Sequence, residues 1–212
     1  MKYLEIYEKK TMDSDKIITR PLKTLQEIDE SILFLSKVFL EKDHMMTHTK
    51  VSHEEFISYY SSIKYAYVEE DFSYGAYYNG ELKGSTISIR YNHPAIYEFK
   101  VPETLKKFDS FFDKAIEANS PFIDVDRCIT LMCIGSVMKG VGKGLMSHFF
   151  EKFMKQRVFS EVYVEASNPI TLILIEKAIQ GNRDWEIKKI NEMVYDEEIK
   201  VDFILCRYLK NI

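Results

Sequence analysis

Val137-Met138-Lys139-Gly140-Val141-Gly142-Lys143-Gly144-Leu145-Met146, VMKGVGKGLM in one-letter code, sets three alternating glycines and two lysines between two apolar segments. Upstream, Arg127-Cys128-Ile129-Thr130-Leu131-Met132-Cys133-Ile134 is almost continuously apolar, which predicts a strand covered on both faces. Downstream, Leu145, Met146, Phe149, Phe150 and Phe153 recur at the spacing of an amphipathic helix. Val162-Tyr163-Val164 then predicts a second strand, and Ser167-Asn168-Pro169 opens a helix carrying Leu172, Ile175 and Ile179. Strand, glycine-rich turn, helix, strand and helix in this order predict a right-handed crossover unit.

Four readings of the turn can be compared. A P-loop needs GxxxxGK followed by Ser or Thr. Here Gly142-Lys143 is followed by Gly144, and no glycine lies five residues before Gly142. A dinucleotide fingerprint needs GxGxxG, but only Ser147 is small at the third glycine position counted from Gly142. Glu165 does stand about twenty residues on, where that fold places an acid, yet the stretch after Glu165 is too short to complete a doubly wound sheet. A helix N-terminus that cradles a pyrophosphate fits better: glycines admit close backbone approach, N–H groups converge, and the helix dipole favours an anion. Lys139 and Lys143 add local positive charge. The remaining reading is a strand-to-helix turn whose glycines only relieve strain.

The rest of the chain supplies the frame. Ile17-Ile18-Thr19-Arg20 predicts a short strand bounded by Pro21. Thr24-Leu25-Gln26-Glu27 and Ser52-His53-Glu54-Glu55 are capping boxes, opening one helix to about Leu40 and another through Phe56, Tyr59 and Tyr60. Between them EKDHMMTHTK reads as a polar segment. Asn79-Gly80, between Phe72–Tyr78 and Lys83–Ile89, demands a type I′ hairpin. Pro102 predicts a helix start, with Leu105, Phe108, Phe112 and Ile116 on one face. Val201-Asp202-Phe203-Ile204-Leu205-Cys206 predicts a closing strand. One α/β (α+β) domain spanning residues 1–212, with a mixed sheet flanked by helices, is expected.

Composition narrows the function classes. The 212 residues are 46% hydrophobic and carry a formal net charge of −4, with the two signs interspersed. No basic field argues for nucleic acid and no polybasic tail or long apolar run argues for a membrane. The leader MKYLEIYEKK reads as neither signal nor transit peptide. Cys128, Cys133 and Cys206 stand in apolar surroundings and are expected to be reduced core thiols, so a soluble, intracellular, cytoplasmic protein is expected.

The stretch from Ile134 to Gly144 resembles the acetyl-CoA signature of the GNAT acetyltransferase superfamily, with Lys139 where Arg or Gln is usual, followed by Gly140-Val141-Gly142-Lys143-Gly144. The Asn79-Gly80 hairpin resembles the family's second and third strands, and Asn168 with its helix resembles the next motif. The resemblance implies a GNAT fold whose central sheet splits between the strand ending near Ile134 and the strand near Val164, admitting the pantetheine arm. It further implies acetyl-CoA as co-substrate. Backbone N–H groups near Cys133 and Ile134 would hold the thioester carbonyl, and residues 139–144 together with Asn168 would complete the cofactor site.

Val38-Phe39-Leu40-Glu41-Lys42-Asp43-His44-Met45 and Thr104-Leu105-Lys106-Lys107-Phe108 resemble segments of insect-type arylalkylamine N-acetyltransferases, though His44 replaces their Pro. This implies Asp43, or else Glu41, as general base in direct transfer to a small arylalkylamine-like or polyamine-like amine within a ternary complex. On the residues alone, both acids are equally compatible with solvated loop charges. Many family members place a Tyr seven residues beyond the Asn. Here that position is Ile175; the insect-type enzymes instead resemble one another in hydroxyls near the start of this helix, where Ser167 and Thr171 stand, which implies Thr171, or else water, as the acid. His44 and His48 have i, i+4 spacing but lack the glutamate of HExxH, and no metal site is expected. Tyr59, Tyr60, Tyr65 and Tyr67 suit core packing or an aromatic acceptor site. The alternative function is a GNAT-fold acyl-CoA binding or regulatory protein without turnover.

Overall fold

A computed structural model describes residues 17–211; the MKYLEIYEKK leader lies outside the described residues. Helices α1 (Leu25–Lys42), α2 (His44–Thr49), α3 (His53–Ser61), α4 (Lys64–Glu69), α5 (Lys106–Asn119), α6 (Val141–Lys155) and α7 (Pro169–Ile179) flank a seven-stranded sheet. Its strands are β1 (Ile17–Pro21), β2 (Tyr74–Tyr78), β3 (Glu81–Arg90), β4 (Cys128–Ser136), β5 (Glu161–Ala166), β6 (Trp185–Tyr195) and β7 (Ile199–Tyr208), in the order β1-β2-β3-β4-β5-β7-β6. Only β4 and β5 pair in parallel; every other neighbouring pair is antiparallel.

Local signals account for most of these elements. Both capping boxes form, at Thr24 with Glu27 and at Ser52 with Glu55. Asn79 and Gly80 take φ of 51° and 81°, the left-handed pair that a type I′ turn requires. Period-two alternation sorts the central strands between two cores. Cys128, Tyr163, Phe203 and Leu205 face α1, α3 and α5, whereas Ile129, Leu131, Val162, Val164 and Ile204 face α6 and α7. The three cysteines are buried free thiols.

Three expectations need correction. The segment 41–50 is not a plain polar loop: α1 runs to Lys42, and Asp43 ends it and caps α2, whose Met45 and Met46 are buried. The strand over residues 201–206 does not close the sheet, because β7 lies between β5 and an edge strand, β6, that sequence reasoning does not find. The Lys, Glu and Asn residues of β6 give it little strand propensity, and its pairing with β7 holds it in the sheet. Finally, Pro102 opens a single 3₁₀ turn, Glu103–Leu105, and α5 begins at Lys106.

The sheet opens between its two parallel strands. Pairing of β4 with β5 ends at Leu131 and Val164; beyond that point Glu165 and Ala166 pair only with β7. A bulge at the same level aligns Cys133 with Ile87 but Leu131 with Ser88, so Met132 is the extra residue and β4 bends there. The gap this leaves is the structural centre of the molecule.

Candidate functional site

Two concavities meet at the gap. On one side a cleft of about 280 Å³ runs past Cys133, Ile134, Gly135, Ser136 and Gly142 to the start of α7 at Asn168 and Thr171. On the other a cavity of about 440 Å³ is walled by aromatic rings from α3, α5 and the connection after β3. Five residues, Phe39, Asp43, Met132, Glu165 and Ser167, line both.

The glycine turn starts α6. Gly140 is its N-cap at φ 87°, a conformation that L side chains rarely adopt, and no side chain caps the helix. At Gly142 a Cβ would lie 3.3 Å from Ser136 Oγ and 3.4 Å from Leu174 Cδ1, so the protein itself fills that space. Gly144 differs: it is helical, and a Cβ there would meet nothing within 4 Å. Neither backbone strain nor packing requires a glycine at 144, and its absent side chain leaves the first turn of the helix open. Uncapped N–H groups, an open helix start and the exposed Lys139 and Lys143 suit a pyrophosphate. Asn168 caps α7, its Oδ1 accepting from Ile170 N at 3.0 Å with Pro169 following.

Asp43 stands at the junction with both carboxylate oxygens engaged. Oδ1 accepts from Met46 N at 2.9 Å, capping α2, and Oδ2 accepts from the Ser167 hydroxyl at 2.7 Å. Glu41 lies on the exposed surface of α1 and lines neither concavity. Thr171 lines the cleft, its N–H donating to Asn168 O at 3.0 Å, while Ile175 is fully buried against α6. His48 pairs with Asp196 through Nε2 at 2.8 Å, and His44 is exposed. Among the described residues no cluster of His, Cys, Asp and Glu could hold a metal ion. Tyr59 and Tyr60 line the cavity, whereas Tyr67 is core and Tyr65 bonds Glu98 at the surface.

Glu165 is the residue that sequence reasoning missed. It enters there only as the acid of a dinucleotide fold that the short remaining chain argues against, whereas it projects from the end of β5 into the gap, on the same face as Tyr163. Burial pushes its carboxyl up to about 8, against a smaller opposing effect of hydrogen bonding with Tyr163. An acid at an inward position of an otherwise apolar strand, VYVEA, is the sequence signal that could have found it.

No protein-family model matches this chain, and no curated protein sequence matches it. Solved structures match across most of its length. The C-terminal condensation domain of Ebony in complex with beta-alanyl-dopamine superposes with a TM-score of 0.67 at 16% identity, over 90% of this chain and 98% of that one. Arylalkylamine N-acetyltransferase 2 from Aedes aegypti gives 0.64 at 13% identity, over 91% and 99%. The polyamine N-acetyltransferase of Drosophila melanogaster gives 0.61 at 12% identity, over 90% and 99%. The fold expected from the glycine signature is therefore the fold observed, a GNAT acetyltransferase fold with its sheet split between β4 and β5.

Proposed function

We propose that the protein is a cytoplasmic acetyl-CoA-dependent N-acetyltransferase acting on a small primary amine in a ternary complex. The observation that carries this reading is the junction at which five residues, two of them carboxylates, line both a cleft that leads to the glycine turn and an aromatic cavity. Transfer of an acyl group between two bound molecules needs such a junction, with a proton acceptor on it. The three buried free thiols support the location, and among the described residues no helix is long and apolar enough to cross a membrane. Structural neighbours named for arylalkylamine and polyamine acetylation agree with the acceptor class.

In this reading residues 139–144 and Asn168 hold coenzyme A, and backbone N–H groups of β4 at Cys133 and Ile134 receive the thioester oxygen. When bound, acetyl-CoA supplies the activated acyl carbon. Glu165 removes a proton from the ammonium of the acceptor, leaving the nitrogen lone pair free. Its raised proton affinity suits that task near neutral pH. Asp43, whose side chain is fixed at the junction by hydrogen bonds from Met46 N and the Ser167 hydroxyl, orients the ammonium. The departing thiolate is protonated through the Thr171 hydroxyl, which passes on its own proton and takes in exchange the second proton that the nitrogen loses as the amide forms. Over a turnover one ammonium proton is released to solvent and one hydrogen ends on the free thiol.

A second reading, an acyl-CoA binding protein without turnover, is favoured by one observation: the buried Ile175 stands where many GNAT enzymes carry a tyrosine. Free thiol release from acetyl-CoA with a panel of amines separates the two. Amine-dependent release confirms the enzyme. Coenzyme A binding without release for any amine overturns it in favour of the binding protein.

A further inference from the structure

The acceptor cavity has an unbalanced charge pattern. Among the described residues its lining carries five carboxylates and no lysine, arginine or histidine. Two of the acids, Asp43 and Glu165, belong to the junction. The other three, Asp109, Asp113 and Glu117, stand at i, i+4 and i+8 on α5, a row about 12 Å long at 1.5 Å per residue. None of the three has a cationic partner among the described residues, although α5 carries three lysines. Lys106 pairs with Glu103 and Lys107 with Asp196, both away from the cavity. Asp109 accepts from the Tyr59 hydroxyl at 2.8 Å, and burial together with the adjacent Asp113 raises its proton affinity. Such a row of acids is unfavourable alone and is relieved by a bound cation.

A second observation indicates that the cavity takes a polar ligand. Thr130 on β4 is 7% exposed and lines the cavity, yet its hydroxyl has no hydrogen-bond partner among the described residues. On a side chain more than nine-tenths buried, a hydroxyl that opens only onto the cavity is placed to hydrogen-bond a molecule bound there. The walls between junction and acid row are aromatic: Tyr59 and Phe99 stack at 4.4 Å and 11°, and their ring faces favour cationic or apolar chain alike.

We infer that this site, on the acetyltransferase reading above, selects an acceptor with two cationic groups: a diamine or longer polyamine whose reacting nitrogen sits at Asp43 and Glu165 and whose second cation sits on the Asp113–Glu117 row of α5. An aromatic monoamine would satisfy the ring walls and the junction but leave the α5 acids uncompensated. A flexible chain with a charge at each end satisfies both.

The test compares hexylamine, tryptamine and 1,6-diaminohexane as acceptors for the full chain with acetyl-CoA. The diamine is expected to exceed both monoamines in kcat/KM by at least about tenfold, which is one ion-assisted hydrogen bond of about 1.4 kcal/mol. The double substitution Asp113→Asn and Glu117→Gln, at exposed positions, should reduce the diamine-to-hexylamine ratio to within about threefold, half a decade on the same scale. No diamine preference, a preference for tryptamine, or a ratio unchanged in the double variant would overturn the assignment. Should no amine be acetylated, calorimetric binding of 1,6-diaminohexane and hexylamine in the presence of coenzyme A decides the question separately. A diamine preference lost in the double variant supports the site although the catalytic reading has failed, and equal binding overturns both.

Discussion

The Ser167 hydroxyl donates to Asp43 Oδ2 at 2.7 Å, joining the start of the Asn168 helix to the end of α1 across 124 residues of chain. Asp43 Oδ1 meanwhile caps α2 and its backbone N–H closes α1 on Phe39 O, so one residue ties three helix ends together at the edge of the gap. Asn at this position keeps an oxygen for Met46 N and an amide for Ser167 while removing the charge. Asp43→Asn should therefore cost about 1 kcal/mol or less in folding, the scale of one exchanged cap. It should raise KM for the amine about tenfold, since a hydrogen bond to a charged group contributes roughly 1.5–3 kcal/mol. Thermal unfolding and steady-state kinetics measure the two separately; an unchanged KM would reduce Asp43 to a structural cap.

With Glu165 as the proposed base, the activity should depend on pH. Burial holds its carboxyl up to about 8, so it is mostly protonated at pH 7 and becomes a competent base as pH rises through that value. Asp43 lines the gap beside it, Tyr163 on its own strand bonds it, and Tyr59, Tyr91 and Cys133 lie close enough to feel its charge. The rate kcat/KM should climb with pH to about 8 and then level. Glu165→Gln should remove that limb and lower kcat by about 10²- to 10⁴-fold, the usual contribution of a positioned base. A limb that survives in the variant would return the base role to Asp43.

The same raised value carries a stability consequence of defined sign. The folded protein holds the Glu165 proton more tightly than the unfolded chain does, so the contribution of this group to stability is fully present below the unfolded value near 4.5 and is lost as pH rises towards 8. Glu165→Gln carries no such penalty. The variant should match the wild type near pH 4.5 and exceed it at pH 8 by an amount on the order of 2 kcal/mol, given about 1.4 kcal/mol per unit and partial access to water. Denaturant titrations at the two pH values provide the comparison. Equal stability at pH 8 would mean that the Glu165 carboxylate is well solvated.

The parts of the fold that were legible in the sequence have local causes. Asn79-Gly80 dictates its turn, two capping boxes set their helices, and the glycines of residues 140–144 mark the start of α6. What was not legible depends on partners distant in the chain. The edge strand β6 exists because β7 pairs with it, and the bulge at Met132 is a matter of register against β3. The candidate site divides in the same way. Its donor half is a contiguous motif. Its acceptor half brings α1, α3, α5 and β5 together, so the roles of Glu165 and the α5 acids emerge only when the sheet has split.

Gly144 separates the needs of the fold from those of the ligand. A methyl group there meets no protein atom within 4 Å, and the backbone is ordinary helix. Gly144→Ala should therefore stabilise the protein by about 0.5–1 kcal/mol, the propensity difference in a helix. It should nonetheless weaken coenzyme A binding about tenfold or more, as a pyrophosphate displaced from the helix N-terminus loses hydrogen bonds of roughly 1.5–3 kcal/mol. Gly140→Ala is the counterpart: at φ 87° it strains the backbone, and it should lower the melting temperature. A Gly144→Ala protein that melts higher and binds coenzyme A unchanged would move the pyrophosphate away from this turn.

Thr171 can be tested without disturbing shape. Its N–H is committed to Asn168 O, but its hydroxyl has no hydrogen-bond partner among the described residues and borders the cleft. Val has nearly the same outline and no proton to give. Thr171→Val should thus preserve folding and coenzyme A affinity while lowering kcat by about 10- to 100-fold, the low end of what a positioned acid supplies, because the departing thiolate would then take its proton from water. Thr171→Ser should restore most of the rate, since it returns the hydroxyl without the methyl group. If the Val variant turns over like the wild type, water already protonates the thiolate and Thr171 serves only the helix start. If Val and Ser are impaired equally, the missing contribution is the shape of the cleft rather than a proton.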